Sequence, residues 1–389
     1  MARRSLLEKY LISPVLEFIR DSRAVGITLI CCTILSLIFS NSGNAGDYLH
    51  FWEREFFSNA GGLHLPHTPL HIVNDALMAV FFLMVGMEIK RELMTGELNT
   101  LKKSMLPVIA AVGGMAVPAL LYYIWCGNTP YSNGWGIPMA TDIAFSLAVL
   151  SLLGKKAPLS LRIFLTALAI IDDLGGILAI AIFYAGELNW YYLGLGGLAL
   201  GVLIALNLLK VKRNYLFFIL GILLWYFIFN SGVHATIAGV LLAFTIPLRK
   251  INHLIHQLHD PVSFLVLPIF ALANTAIALP ADVAQVFTTT LHHGIFTGLV
   301  LGKPLGIFLF SFLAVKLKVG ALPTGLLWRH VIGMGMVAGI GFTISIFIAT
   351  LALTGAEAQT TAKIAIIGAS VISGLLGFLY LKLVHKRVR

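Results

Sequence analysis

Charge is scarce in this chain. Only 11% of its 389 residues are Asp, Glu, Lys or Arg, while 58% are hydrophobic; soluble domains carry about 25% charged residues. A soluble core has no use for so much apolar surface, so the bilayer is the expected solvent. Cysteine is scarce too. Cys31 and Cys32 fall in the first apolar run and Cys126 ends the third. An odd, scattered set builds no disulfide framework, and no Cys-x-x-Cys pair offers a metal site. A signal peptide is not expected, because the first long apolar run starts only near Ala24 and no small-residue cleavage motif follows it. Residues 4–20, with Leu6, Leu7, Tyr10, Leu11, Val15, Leu16, Phe18 and Ile19, read as a helix lying in the membrane interface. No stretch remains for a sizeable soluble domain. Residues 1–389 therefore read as one membrane domain, with an N-terminal arm at 1–23, a helical bundle at 24–382 and a tail at 383–389.

What the chain does have is a series of apolar runs, each close to the roughly 20 residues that a helix needs to cross a bilayer. They lie near 24–40, 70–89, 104–125, 136–153, 162–184, 190–209, 214–230, 232–248, 261–279, 293–315, 329–353 and 362–382. The expected fold is an all-α integral membrane protein with twelve transmembrane helices. Asn230-Ser231-Gly232 implies a tight hairpin between spans seven and eight. The net charge of +10 is distributed by topology. With the N-terminus in the cytoplasm, all Lys and Arg except Arg54, Lys363 and Lys303 fall on the cytoplasmic side, 24 of the 27. This is the positive-inside pattern. It places both termini in the cytoplasm and argues against a nucleic-acid partner.

Few ionisable residues remain within the spans, and these carry the chemistry. Asp172 and Asp173 are adjacent in Ile-Ile-Asp-Asp-Leu-Gly-Gly (170–176), mid-way along span five. A charge at bilayer depth costs roughly 2.5–3.5 kcal/mol on insertion scales. Two neighbouring carboxylates that repel each other are hard to explain as packing and point to a cation, a proton, or both in turn. Asp142 lies in Gly-Ile-Pro-Met-Ala-Thr-Asp-Ile-Ala-Phe (136–145), where Pro138 removes a donor and Gly136 and Thr141 weaken the helix further. A helix broken here frees backbone groups, and Asp142 is placed to neutralise positive helix N-termini. Gly335, Gly339 and Gly341 in span eleven permit a second break, although close packing accounts for them equally well. Lys303 is about ten residues into span ten, roughly 15 Å of helix, too deep to reach water easily. It needs a partner among Asp172, Asp173 and Asp142. Asp75 in span two is either a pathway group or a buried hydrogen-bonded acid. His234 reads first as a satisfied buried histidine. His64, His67 and His71 in an outer loop, and His253, His256 and His259 in a cytoplasmic loop, read as solvated side chains; the second set titrates near neutral pH.

The two broken segments look related. Asp142-Ile-Ala-Phe aligns with Gly339-Ile-Gly-Phe, and the stretch from Arg162 to Gly176 aligns without gaps on the stretch from Lys363 to Gly377. Spans four and five run opposite to spans eleven and twelve, so this is an inverted repeat. It explains Lys363, which stands in the place of Arg162. The acids are asymmetric: Ser373 and Gly374 stand where Asp172 and Asp173 stand in the first copy.

Taken together, several motifs resemble the NhaA family of bacterial sodium/proton antiporters. They are Val-Asn-Asp-Ala-Leu-Met-Ala-Val-Phe-Phe-Leu with Gly-Met-Glu-Ile-Lys-Arg-Glu-Leu (73–93), Ala-Thr-Asp-Ile-Ala-Phe (140–145), Ala-Ile-Ile-Asp-Asp-Leu-Gly (169–175), Ser-Gly-Val-His-Ala-Thr (231–236), Gly-Lys-Pro-Leu-Gly (302–306) and Gly-Ile-Gly-Phe-Thr-Ile-Ser-Ile-Phe-Ile (339–348). The match runs in order from about 70 to 380. The family is itself a standing example of inverted-topology transporters. The resemblance implies two discontinuous helices crossing near the midplane, spans four and eleven. It implies sodium or lithium binding at Asp173 with Asp172 beside it, Thr141 and Asp142 at the crossing, and Lys303 pairing with the acids. It implies a cytoplasmic-end cluster of Glu88, Arg91 and Glu92 linked to pH response, with Asp75 and His234 as further pathway or pH-response candidates. It implies no cofactor beyond the transported sodium or lithium and protons, a homodimer formed partly through a hairpin at 56–66, and a multi-pass protein of the bacterial inner membrane that is not an enzyme. A passive cation channel, an intramembrane aspartyl protease and an organic-solute/proton symporter are the rival readings. The protease reading is weakened because adjacent residues on one helix point about 100° apart, whereas a catalytic dyad meets face to face.

Overall fold

The computed structural model describes residues 23–56, 64–99, 101–211 and 213–386. The expected interfacial helix at 4–20, most of the outer-loop hairpin and the last three residues of the tail lie outside them. Among the described residues the secondary structure is entirely helical. The helices are α1 Ala24–Phe39, α2 Ala45–Glu53, α3 Pro69–Met94, α4 Leu101–Cys126, α5 Ile143–Leu152, α6 Leu159–Phe183, α7 Trp190–Leu208 and α8 Asn214–Phe229. They continue with α9 Thr236–Thr245, α10 Leu248–Asn274, α11 Val283–Thr288, α12 Thr290–Lys316, α13 Trp328–Ala338, α14 Phe342–Ala352 and α15 Ala356–Lys386. Eight segments among the described residues are long and apolar enough to cross a membrane, or nine if the bent α13/α14 pair is one span. α1, α8 and α9 are shorter apolar helices.

Span four is broken where Pro138 predicts it. Ser132–Met139 is a 3-10 helix, Ala140 is extended, and α5 starts only after Asp142. α13 and α14 meet at a 49° bend across Gly339–Gly341. The glycines there therefore mark a break and not packing alone.

Two expectations need correction. His253, His256 and His259 lie on α10 and not in a loop. Ile251, Leu254 and Ile255 are buried at helical spacing while the three histidines on the other face are exposed, an amphipathic stripe that continues into the apolar span. The joint between α8 and α9 is also longer than Asn-Ser-Gly. It runs from 230 to 235, and Gly232 turns the chain at φ +84°, a conformation that favours glycine.

α12 carries a feature with no sequence signature. Gly298–Gly302 is a π-helical turn, and the Lys303 amide donates to the Gly298 carbonyl five residues back. Pro304, next in line, has no amide to give, so the wider turn forms where the ladder is already interrupted. α12 is pressed against α4 at this level. A Cβ at Gly302 would lie 2.8 Å from the Pro118 Cα. The lysine's position is thereby fixed.

Candidate functional site

The two breaks face each other and satisfy each other's loose backbone ends. α13 finishes at Ala338, leaving C-terminal carbonyls unpaired within the helix. Thr141 Oγ1 lies 2.9 Å from the Ala338 carbonyl, the Asp142 amide donates to the Ile340 carbonyl at 2.7 Å, and Ser146 Oγ donates to the Val337 carbonyl at 3.2 Å. In return, Ser345 Oγ of α14 donates to the Ile137 carbonyl at 2.7 Å.

Asp142 caps two helices at once. Its carboxylate accepts from the Phe145 amide at 3.0 Å, an N-cap of its own helix α5. It also accepts from the Thr343 amide at 3.0 Å and the Thr343 hydroxyl at 2.5 Å. The residue at the N-cap of α14 is Gly341, which has no side chain to offer. The carboxylate of one segment therefore neutralises the positive ends of both. Ser370 Oγ, 3.2 Å from the Phe342 amide, takes another of the free N–H groups of α14.

Asp172 and Asp173 diverge, as neighbours on a helix must. Asp172 Oδ2 is 2.5 Å from Lys303 Nζ, and both side chains are fully shielded from solvent. Thr141 Oγ1 approaches the same oxygen at 2.8 Å. Its single proton thus lies between two acceptors, Asp172 and the Ala338 carbonyl. Of the three partners open to Lys303, Asp172 is the one it contacts. Asp173 takes the other direction. It is only 3% exposed, its Oδ1 has no hydrogen-bond partner, and it lines a cavity of about 320 Å³. Asp142 and Thr343 line the cavity beside it, and Glu88, Arg91 and His259 line it as well. Arg91 Nη2 also contacts Glu92 Oε1 at 3.2 Å.

The remaining candidates lie apart from this centre. Asp75 sits on a π-helical stretch of α3, and its backbone carbonyl accepts from the Trp225 indole at 2.9 Å. His234 Nε2 is 2.9 Å from the Tyr184 carbonyl. Among the described residues, no group of three or more His, Cys, Asp or Glu is arranged to hold a metal ion. Sequence reasoning does not reach Thr343, Ser146 and Ser345. The alignment holds one signal for Thr343: the second copy has Gly339 where the first has Asp142, so α14 has no acid of its own at that place.

The sequence matches the model of a protein family described as Na+/H+ antiporter 1 over residues 16–381. It is 49% identical over 377 residues to the Na(+)/H(+) antiporter NhaA 2 of Flavobacterium johnsoniae, covering 95% of this chain and 92% of that protein. It is 48% identical over 376 residues to the Na(+)/H(+) antiporter NhaA of Flavobacterium psychrophilum, covering 95% and 96%. The Na(+)/H(+) antiporter NhaA of an Escherichia coli strain, O1:K1 / APEC, is 45% identical over 376 residues, covering 94% and 97%.

Proposed function

This chain belongs to the Na+/H+ antiporter 1 family, and on that premise we propose that it exports sodium or lithium from the bacterial cytoplasm in exchange for protons, supporting pH homeostasis and salt tolerance. The observation that carries this reading is the state of Asp173. Asp142 is offset by two helix N-termini and Asp172 by Lys303. Asp172 Oδ1 and Asp173 Oδ1 both lack a hydrogen-bond partner, but of the two only Asp173 lines the cavity and, among the described residues, has no cation in contact with its carboxylate. An isolated buried carboxylate is costly. A proton or a small monovalent cation each removes that cost, so the two compete for one site. Sodium and lithium are hard ions that seek oxygen, which Asp173, with Asp172, Thr141 and Asp142 around it, supplies. Here the cation is cargo and no cofactor is required.

The exchange proceeds by alternating access. In the orientation set by the basic residues, with both termini in the cytoplasm of an inner-membrane protein, the cavity leads inward past Glu88 and Arg91. Glu88, Arg91 and Glu92 form the pH-responsive cluster at its mouth, and Asp75 and His234 serve the opposite pathway. The eight long helices, the α13/α14 pair and the three shorter helices fall one on each of the twelve apolar runs, which supports a single twelve-span domain. Proximity within the second copy supports the proposed repeat: a Cβ at Gly339 would lie 2.7 Å from Ser373 Oγ, and these positions align with Asp142, whose neighbour Thr141 meets Asp172, and with Asp172 itself. The protein functions as a homodimer. Exchange of two protons per cation moves one net charge, worth about 2.3 kcal/mol per 100 mV.

The test is exchange in proteoliposomes containing only this protein. An imposed pH gradient should drive sodium and lithium uphill, and Asp173→Asn should abolish it. A variant that exchanges at the normal rate refutes the assignment, and downhill sodium leak without proton coupling supports a channel instead.

A further inference from the structure

The half-helix Ser132–Met139 leads straight into Thr141 and Asp142, so whatever holds it sets where those two groups lie. Side-chain hydroxyls from three helices reach its backbone. Tyr122 of α4 donates to the Tyr131 carbonyl at 2.6 Å, where the half-helix begins. Ser345 of α14 donates to the Ile137 carbonyl at 2.7 Å, near its end. Tyr184, at the C-cap of α6, reaches the middle. Its hydroxyl donates to the Asn133 carbonyl at 2.8 Å and accepts from the Gly136 amide at 3.2 Å. Asn133 and Gly136 are the carbonyl and amide that a 3-10 turn joins to each other. One phenol therefore lies astride one turn of the half-helix. Gly136 leaves room for it: a Cβ there would stand 2.7 Å from the hydroxyl. The ring stays in place by packing, with Trp135 at 6.4 Å between centroids and an interplanar angle of 29°.

Tyr184 belongs to the same helix as Asp172 and Asp173, about three turns further on. We propose that the Tyr184 hydroxyl is a positioning group for the cation site: it ties the half-helix to the acid-bearing helix and so fixes Thr141 and Asp142 relative to Asp172 and Asp173. The inference rests on the antiport reading of that site. Removing the hydroxyl strands no polar group, because the Asn133 carbonyl and the Gly136 amide can then bond to each other. The half-helix tightens, and the oxygens at its end shift away from α6.

Tyr184→Phe and Gly136→Ala test this, singly and together, in proteoliposomes and in detergent. Tyr184→Phe should raise KM for sodium and lithium about three- to tenfold, the scale of one hydrogen bond. Its kcat should stay within about twofold, and its thermal midpoint should match the parent. Gly136→Ala should raise KM in the same direction by pushing the phenol out. The double variant should be no worse than the poorer single one, because without the hydroxyl the added methyl has room. An unchanged KM in Tyr184→Phe, or effects that multiply in the double variant, overturns the proposal. Stabilisation of the detergent-solubilised protein by added lithium reads the same site without transport. If the parent protein binds lithium but exchanges nothing, the antiport reading fails. The present inference then stands or falls on whether Tyr184→Phe weakens that stabilisation.

Discussion

The Lys303–Asp172 pair offers the sharpest energetic prediction. Both side chains are fully buried, and breaking such a pair by deleting one partner costs about 3–5 kcal/mol, since a charge is left without compensation. The surroundings decide how much of that is recovered. In Lys303→Met, Thr141 can give its one proton wholly to Asp172, a hydrogen bond to a charged group worth about 1.5–3 kcal/mol. It then abandons the Ala338 carbonyl, at a cost of about 1–3 kcal/mol. The two nearly cancel, so the expected loss stays at about 3–4 kcal/mol. In Asp172→Asn the ammonium keeps one neutral acceptor, and a loss of about 2–4 kcal/mol is expected on the same reasoning. The double variant Lys303→Met/Asp172→Asn buries no unpaired charge and should lie within about 1.5 kcal/mol of the parent, on either side. Equilibrium unfolding in mixed micelles, followed by tryptophan fluorescence, measures all four proteins. A double variant whose loss is the sum of the single losses would refute the idea that the lysine is held by this carboxylate.

Two further predictions come from helix ends. Asp142→Ala uncaps α5 and α14 together and should cost about 2–4 kcal/mol, against about 1 kcal/mol for an ordinary single cap; an unfolding shift no larger than a single cap's would mean that Thr343 finds another partner. Lys90 Nζ donates to the Phe244 and Ile246 carbonyls at 2.7 and 2.6 Å, closing the C-terminus of α9. Lys90→Met should lower stability by about 1–2 kcal/mol and Lys90→Arg should restore most of it, measured by the same unfolding assay.

The elements that were legible in the sequence are those with a compositional cost attached. Each apolar run shows because a bilayer tolerates little else, and Pro138 marks its break because a missing amide cannot be hidden. Lys303 announced that it needed a partner, though only the structure chose Asp172 among three carboxylates. The divergence of Asp172 and Asp173 followed from helix geometry. Other features left no trace. The π turn before Lys303 adds one residue to a helix without altering its composition. The double cap by Asp142 depends on two segments almost 200 residues apart in the chain. Tyr184 looked like any aromatic at the end of a span. The histidines of α10 escape the sequence for a different reason: an amphipathic helix with this many polar residues resembles a loop when only apolar runs are counted.

The joint between α8 and α9 also works as a strap. The Gly232 and Ser231 carbonyls accept from the Gly186 and Asn189 amides, each at 2.9 Å, in the loop between α6 and α7. His234 meets the Tyr184 carbonyl at the C-cap of α6. Two loops stitched through backbone atoms have no side chain to lose at those two bonds, and only a proline at the donor would unpick one of them. α6, which carries Asp172 and Asp173, and α9 are therefore yoked at one end. A displacement of either helix along its axis carries the other with it.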